Sequence, residues 1–386
     1  MFRISRLQQL MQQMPWGVLD RAVKEHGSDR HCKGFSSRDH MVAMTYAQLS
    51  EARNLRELED SFNQNAGHHY HLGTGPIRRS TLSDANGKRN PQVFAEVALA
   101  LMKAAGRTMR SQRQFMVYLL DSTSITLQGR GFEWAQAHAT RTAGLKLHLL
   151  YASDGFRPVH QSITAGNVND VDEGRELTIE AGATYVFDKG YCDYSWWGRL
   201  DAAGARFVTR CKTNAALKLV QQRPIAQDDA AVILADRIEA FKYKSNRGGH
   251  RNSYEGNVRR IEVARQDERP LILLTNDLDS PAVQIAALYK ERWQIELFFK
   301  WIKQHLLVKR FLGRSENAVR IQLLVALVAY LLVVLYKARH GLKTSLWRVL
   351  SLLRSGLMLR EQPQESAWKR RRAQQALIDR TQLRLI

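Results

Sequence analysis

The sequence has few cysteines and no apolar segment at its beginning. Its three cysteines, Cys32, Cys192 and Cys211, lie far apart and include no CxxC pair, so it supports neither a zinc finger nor a disulfide framework. Residues 1–7 lack the apolar run of a signal peptide. These absences favour a protein of the reducing cytosol.

Long apolar runs are also scarce. Residues 323–336 are continuously apolar, but this segment is shorter than the ~18 residues that a membrane-spanning helix needs. We therefore predict a buried helix here and no association with a membrane.

Acidic residues are outnumbered by basic ones, with 37 Asp and Glu against 58 Lys and Arg. The net charge of +21 and the isoelectric point near 10.1 favour a polyanionic partner, and nucleic acid is a better candidate than an acidic membrane surface. A basic protein without such a partner has the same composition. The hydrophobic fraction of 44% is ordinary for a globular protein, and 386 residues suffice for two or three domains.

Residues 1–110 show the hydrophobic periodicity of helices. Ser37 is a candidate cap for one helix, and Asn90-Pro91 opens another. Basic residues at 78–81 and 88–89 fall beside predicted helix ends, where they suit contacts with DNA phosphates and equally suit a solvated surface. We predict a helical DNA-binding domain over residues 1–110.

Short apolar runs begin near residue 114 and alternate with amphipathic segments. Strands are predicted at residues 115–121, 145–151, 158–164, 184–188 and 206–209, and helices at residues 171–179 and 193–202. Three strands joined by hairpins and followed by β/α alternation predict an α/β domain, with a mixed sheet flanked by helices, over residues 111–340.

Two further regions complete the chain. Residues 211–277 have the pattern of short strands, which is clearest at 261–264 and 271–274. Residues 341–386 are predicted to be a basic helical tail, which includes Lys-Arg-Arg-Arg at 369–372. Such a tail can bind DNA or remain solvated.

One predicted helix, residues 289–303, carries an unusual polar face. At about 100° per residue, four polar side chains lie within about 60° of one another: Tyr289, Arg292, Glu296 and Lys303. The opposite side is apolar and includes Ile295, Leu297, Phe298, Trp301 and Ile302. Ser280 and Pro281 fit the start of this helix, as the N-cap and the first helical residue. A carboxylate beside cationic donors is what phosphodiester chemistry requires.

Asp121 and Asp188 each end a predicted apolar strand, at the edge where open α/β sheets form ligand sites. Either residue alone is better explained by a strand-end turn. Together with Glu296 they offer three hard oxygen ligands, which suit Mg²⁺ or Mn²⁺. Two such ions can activate the attacking oxygen and stabilise the leaving oxygen of a phosphoryl displacement.

The spacing Tyr-x2-Arg-x3-Glu-x6-Lys, from Tyr289 to Lys303, resembles the signature of the IS4-type DDE transposases. The segments Leu-Asp-Ser-Thr-Ser at 120–124 and Phe-Asp-Lys-Gly-Tyr at 187–191 resemble the surroundings of the first and second catalytic aspartates of that family. The resemblance covers roughly residues 115–340. The four-residue signature is specific, because four residue types and three spacings must agree at once.

The resemblance implies an RNase H-like core in which Asp121, Asp188 and Glu296 form the catalytic, metal-binding triad, with residues 211–277 as a β-rich insertion. It implies Mg²⁺ as the cofactor, for which Mn²⁺ can substitute. It also implies DNA contacts by three side chains of the signature: Tyr289, Arg292 and Lys303. Lys300, on the same helix, is a further candidate for DNA contact. An inserted aromatic residue that holds a flipped base has three candidates in this chain: Phe241, Tyr243 and Tyr254.

The implied function is cut-and-paste DNA transposition. Hydrolysis of one strand at the element end would free a 3′ hydroxyl, which would then attack DNA through a hairpin intermediate and finally join the element to its target. The expected partners are double-stranded DNA, as terminal inverted repeats and target, and a second copy of the chain on paired ends. We expect a cytoplasmic, nucleoid-associated bacterial protein. An RNase H-like nuclease without strand transfer and a non-catalytic DNA-binding repressor are the alternatives.

Two other sets of residues have simpler explanations than a functional site. The spacing of His68, His69 and His71 fits no common metal site, so we predict a polar loop there. Trp196 and Trp197 fall in a predicted amphipathic helix and are expected to pack in the core.

Overall fold

The computed structural model describes residues 4–108, 116–136, 143–154, 157–212, 215–242, 252, 254–266 and 268–359. Within these ranges the helices are α1 (Arg6–Met11), α2 (Trp16–Glu25), α3 (Ser37–Ser50), α4 (Leu55–Asn63), α5 (His69–Leu72), α6 (Arg79–Lys88), α7 (Gln92–Thr108), α8 (Asp170–Glu176), α9 (Tyr194–Ala202), α10 (Ala282–Glu291), α11 (Trp293–His305), α12 (Glu316–Arg339) and α13 (Leu346–Arg354). The strands are β1 (Val117–Leu127), β2 (Ala143–Ala152), β3 (Arg157–Ala165), β4 (Thr184–Phe187), β5 (Arg206–Arg210), β6 (Leu217–Gln222), β7 (Ile233–Phe241), β8 (Val258–Val263) and β9 (Leu271–Thr275).

All these strands belong to one mixed sheet with the order β3-β2-β1-β4-β5-β9-β8-β7-β6. β1, β2 and β3 pair antiparallel, whereas β4 runs parallel to β1 and β5 runs parallel to β4. The strands of residues 211–277 continue the same sheet by antiparallel pairing of β9 with β5. The predicted fold class, an α/β RNase H-like mixed sheet flanked by helices with an α-helical N-terminal region, is confirmed.

Helix α12 lies at the centre of the molecule. It packs against α3, α6 and α7 of the N-terminal region and against α13. The helix is long and apolar enough to cross a membrane, but 94% of its most apolar window is buried inside the protein. The prediction of a buried helix at residues 323–336 is therefore confirmed.

Two buried glutamines connect the N-terminal helices to the segment that follows α11. Gln48 of α3 donates to the carbonyl of Gln322 at 3.1 Å and accepts from the N–H of Leu307 at 2.8 Å. Gln322 of α12 donates to the carbonyls of Leu307 and Arg310 at 2.6 and 2.8 Å. Because buried amides are costly to leave unpaired, these bonds fix the position of residues 307–310.

Two predicted helix starts are wrong by one residue. Helix α3 is capped by Ser36 rather than Ser37. Helix α10 has Pro281 rather than Ser280 as its N-cap, because both the N–H and the hydroxyl of Ser280 bind the carboxylate of Asp277.

The predicted signature helix is broken into two. α10 ends at Glu291, α11 begins at Trp293, and the chain turns at Arg292, whose N–H bonds to the carbonyl three residues earlier. The buried side of α11 keeps Ile295, Phe298 and Ile302 as predicted, but Leu297 is 49% exposed.

The division into domains at residues 1–110, 111–340 and 341–386 stays a prediction. The basic run at 369–372 lies outside the described residues.

Candidate active site

Asp121 lies inside β1 rather than at its end, because β1 continues to Leu127 along its antiparallel partner β2. The parallel pairing of β1 with β4 stops earlier, at Leu120 and Phe187. Asp121 and Asp188 each come directly after this last parallel pair. The two aspartates therefore stand side by side at the carboxyl edge of the parallel strands, where ligand sites form in such sheets.

Arg292 joins the first aspartate to Glu296 of α11. Its Nη2 atom lies 2.8 Å from Oε1 of Glu296, and its Nη1 atom lies 3.5 Å from Oδ2 of Asp121. Only 13% of the Arg292 side chain is exposed. The guanidinium thus compensates the negative charge of two neighbouring carboxylates in a partly desolvated place.

Asp188 has a weaker cationic partner. Nη1 of Arg210 lies 3.7 Å from Oδ1 of Asp188, and that oxygen is buried without a hydrogen bond. Across the described ranges, the one group of three potential ligand atoms within 4.8 Å of one another comes from Glu25, His26 and Glu96. Asp121, Asp188 and Glu296 thus do not approach to that spacing, as expected for carboxylates that repel one another.

The donor set of these three residues nevertheless fits a divalent cation. Carboxylate oxygens are the hard ligands that Mg²⁺ and Mn²⁺ prefer. The buried Oδ1 of Asp188 lacks a hydrogen bond and is paired with Arg210 only at 3.7 Å, so a closer positive partner would stabilise it. A cation that binds here competes with Arg292 for the oxygens of Asp121 and Glu296.

Burial is the main reason that the pKa of Asp121 is raised to about 6. The N–H of Ser122, 2.8 Å from Oδ1, and the charge of Arg292 act in the opposite direction. The nearby carboxylates of Glu296 and Asp188 raise the pKa further.

Tyr289 is buried on α10 rather than presented to solvent. Its ring packs under the guanidinium of Arg292, 5.5 Å away, and its hydroxyl is buried without a hydrogen bond of normal geometry to a described residue. Burial raises the pKa of Tyr289 to about 12. In this conformation Tyr289 supports Arg292.

A cleft of about 400 Å³ opens beside the carboxylates of Asp121 and Glu296. Lys303 lies on its wall and donates from Nζ to the carbonyl of Ser124 at 3.0 Å, which anchors α11 to β1. Lys300 is exposed to solvent. The cations that line the cleft are Lys300, Lys303 and Lys309.

A polar cluster that was not predicted from the sequence lies on the other face of β1. The hydroxyl of Ser122 donates to Oδ1 of Asp170 at 2.7 Å, and Nζ of Lys146 lies 3.2 Å from the same oxygen. Lys146 also donates to the carbonyl of Val168 at 2.8 Å. Since the N–H of Ser122 holds Asp121, this cluster fixes the backbone behind the first aspartate. The available signal was an acid directly before the helix predicted at residues 171–179.

Trp293 was also missed. It directly follows Arg292 and is 59% exposed, which is unusual for a tryptophan in a folded protein. A continuous amphipathic helix gave no reason to single it out, whereas the turn at Arg292 leaves it on the surface beside the site.

The three aromatic candidates for holding a flipped base have different outcomes. Tyr254 is wrong as a candidate, because it is 1% exposed and packs against Phe207 in the core. Phe241 is partly buried against Tyr194, with ring centroids 4.4 Å apart. Tyr243 lies outside the described residues.

The remaining interpretations have clear outcomes. Trp196 and Trp197 are buried in the core, as predicted. The polar loop predicted around the histidines is wrong, because α5 begins at His69 and this residue is buried, with its ring stacked on Phe62 at 4.6 Å.

Residues 113–332 match the family described as Transposase DDE domain, and this match covers more than half of the chain. The chain belongs to the DDE transposase family. Residues 3–75 match a second family, described as a domain of unknown function, DUF4372.

Named relatives agree with this assignment. The transposase is 46% identical over 253 residues to a predicted transposase of Sinorhizobium fredii. The alignment covers 65% of this chain and 69% of the relative. It is 30% identical to a predicted transposase for insertion sequence element IS5377 of Geobacillus stearothermophilus, over 75% of this chain and 78% of the relative. It is 28% identical to a predicted transposase for insertion sequence element IS4SA of Synechocystis, over 66% of this chain and 70% of the relative.

The prediction of a DNA transposase of the insertion-sequence type is therefore confirmed. The chain is an enzyme that cuts and joins DNA, and its family generally uses a divalent metal.

Proposed function

We propose that Asp121, Asp188 and Glu296 are the catalytic triad of this transposase and hold its divalent metal, Mg²⁺ with Mn²⁺ as a substitute. The observation that carries this proposal is the placement of Asp121 and Asp188 side by side at the end of the parallel strands, with Glu296 brought to Asp121 through Arg292. The buried oxygen of Asp188 without a hydrogen bond is a second support.

The residues predicted to contact DNA have distinct roles in this proposal. Arg292 neutralises the carboxylates in the free enzyme and donates to a DNA phosphate when the substrate is bound. Lys300 and Lys303 line the adjacent cleft and hold the DNA backbone. Tyr289 packs under the Arg292 guanidinium and orients it. Trp293 is exposed beside Arg292 and can stack on a DNA base.

A divalent cation, when bound, supplies positive charge to the phosphodiester oxygens of the substrate. The residues of the chain hold the phosphate in the reactive orientation and exclude other orientations. Hydrolysis of one strand frees a 3′ hydroxyl at the element end, and this hydroxyl then attacks a DNA phosphate, through a hairpin intermediate, before joining to the target. Water breaks one phosphodiester bond in the first step and again when the hairpin is opened, whereas each attack by the 3′ hydroxyl forms one phosphodiester bond and breaks one, with the displaced strand leaving as a 3′ hydroxyl. No covalent enzyme intermediate is needed.

The proposed partners are the terminal inverted repeats of the element and its target DNA. We propose that two copies of the chain act together on paired ends in the bacterial cytoplasm, in association with the nucleoid. Residues 1–110 serve as the DNA-binding domain, and the net charge of +21 supports contacts along the whole substrate.

The raised pKa of Asp121 leads to a test of the metal site. Because Asp121 must be ionised to bind a cation and its pKa is about 6, we expect the apparent affinity for Mn²⁺ to be constant above pH 7. Below pH 6 the affinity should fall about tenfold per pH unit, as protons displace the metal. Water-proton relaxation titrations of the DNA-free protein at several pH values measure this directly. The same affinity at pH 5 and pH 8 would refute the proposed role of Asp121.

The cleft cations give a second test. A Lys300→Ala/Lys303→Ala variant should bind element-end DNA about tenfold more weakly at 100 mM salt, because two phosphate contacts are lost. The slope of log K against log salt should become shallower by about 1.8. Lys290→Ala serves as a control, because Lys290 is an exposed lysine of α10 that does not line the cleft. An unchanged salt slope in the double variant would contradict the assignment.

A further inference from the structure

A second cleft lies in the N-terminal region, between the loop of residues 28–35 and helix α6. Its volume is about 620 Å³. One wall is a single face of α6, at the spacing of three to four residues that a helix face requires. The residues of this wall are Arg78, Thr81, Asp84, Ala85 and Lys88. We call it the α6 cleft.

The α6 cleft is strongly basic on both walls. The loop contributes Arg30 and Lys33, and the helix contributes Arg78 and Lys88, all of them exposed. The one acid of the lining is Asp84, which lies 3.6 Å from Nζ of Lys88. Four exposed cations therefore face the cleft with a single carboxylate to offset them, so the site is complementary to an anion.

The floor of the cleft holds a buried guanidinium with an unused donor. Arg89 is 7% exposed, and its Nη2 atom donates to the carbonyl of Phe35 and lies 3.2 Å from Oδ1 of Asp29. Its Nη1 atom is buried and has no hydrogen-bond partner in the described part of the chain. A buried guanidinium donor without an acceptor is costly, which indicates that an acceptor is missing from this end of the cleft.

The shape of the site favours an extended polyanion over a single small anion. Helix α6 has ten residues and is about 15 Å long, and its cations stand at both of its ends. A rise of 3.4 Å per base pair makes this length about four base-pair steps of one DNA strand. Between the cations the helix presents the small, exposed side chain of Thr81, which suits close approach of a backbone.

We propose that the α6 cleft grips the phosphate backbone of duplex DNA at the element end and so positions the duplex relative to the active site. This inference rests on the proposed function for the identity of the DNA, and it locates the phosphate-binding surface within the proposed DNA-binding domain of residues 1–110. The cleft joins the region that matches the domain of unknown function, residues 3–75, to a helix that lies outside both matched ranges. The Gln48 and Gln322 contacts give this region a fixed relation to the segment after α11.

The test is a variant that removes the four exposed cations: Arg30→Ala/Lys33→Ala/Arg78→Ala/Lys88→Ala. Fluorescence anisotropy with a labelled element-end duplex should show binding about 100-fold weaker at 100 mM salt. The salt slope should be shallower by about 3.6, and the loss should be similar for an unrelated duplex, because phosphate contacts carry no sequence information. Binding within threefold of wild type, with an unchanged salt slope, would overturn the proposal.

Two controls isolate the effect. Lys218→Ala/Arg269→Ala removes exposed cations far along the sheet, in β6 and beside β9, and should leave the contribution of the α6 cleft intact. Arg30→Lys/Arg78→Lys keeps the charge and should bind within threefold of wild type. Circular dichroism of every variant checks the fold, and Arg89 is left unchanged because it is buried in an ion pair.

The outcomes separate this inference from the proposed function. If the inference is right, the four-cation variant recovers metal-dependent cleavage at saturating protein and low salt, because the triad is intact. Weak binding of this variant supports the α6 cleft even if wild-type protein binds DNA and fails to cleave it, a result that would count against the triad alone. Normal binding by the variant overturns the α6 cleft whatever the cleavage result.

Discussion

The Asp188→Asn variant is expected to cleave element-end DNA about 10³-fold more slowly than the wild-type transposase, while binding the same DNA normally. Asparagine keeps the shape of the side chain but removes the charge that a divalent cation needs. Oδ1 of Asp188 makes no hydrogen bond that the substitution would break, so the fold should be unaffected. Single-turnover cleavage on denaturing gels and anisotropy measurements of binding give the two quantities.

The matched control for this experiment is Asp172→Asn. Asp172 is an exposed acid of α8 that pairs with Arg175 at 2.9 Å, away from the triad. It should cleave within twofold of wild type. Asp121→Asn and Glu296→Gln should behave like Asp188→Asn, and near-normal cleavage by any of these three variants would remove that residue from the triad.

The Arg292→Ala variant is expected to lose about 10²-fold in cleavage rate without any loss of Mn²⁺ affinity at pH 8. The rate falls because a donor to the phosphate is gone. The metal affinity holds or increases, because Arg292 no longer competes for the oxygens of Asp121 and Glu296. The charge of Arg292 lowers the pKa of Asp121, so this pKa should be higher in the variant. The pH below which the Mn²⁺ affinity falls should therefore also be higher.

Two further variants make the Arg292 result interpretable. Arg292→Lys keeps the charge, but a single ammonium cannot span two carboxylates as a guanidinium does, so an intermediate rate is expected. Arg320→Ala breaks a comparable pair, with Glu316 four residues earlier on α12, and should leave cleavage unchanged. A parallel loss of metal affinity and rate in Arg292→Ala would show that Arg292 acts by holding the metal ligands in place.

Much of the site could be predicted from the sequence, because several of its residues lie close to one another along the chain. Arg292 and Glu296 are four residues apart, and the helical spacing brings them to 2.8 Å even though the helix is broken beside them. Asp121 and Asp188 could be placed on neighbouring strands from the apolar runs before them. Their side-by-side position in the sheet follows from the register of β1 and β4, and no local sequence pattern predicts that register.

Other features depended on contacts between distant parts of the chain and could not be predicted. The buried state of Tyr254 follows from its packing on Phe207, and no periodicity separates it from an exposed aromatic. From the sequence Arg89 is expected on the surface, but contacts with Asp29 and the carbonyl of Phe35 hold it in the interior. The break at Arg292 has no proline or glycine to announce it.

The central claim is that this chain performs metal-dependent DNA cutting and joining at the triad. The most direct measurement incubates purified protein with labelled DNA that carries the element ends, a circular target plasmid and Mg²⁺. We predict labelled plasmid as a joined product with wild-type protein, no such product without the divalent cation, and none with Asp188→Asn. Joined product from Asp188→Asn at the wild-type rate, or cleavage without joining by the wild type, would contradict it.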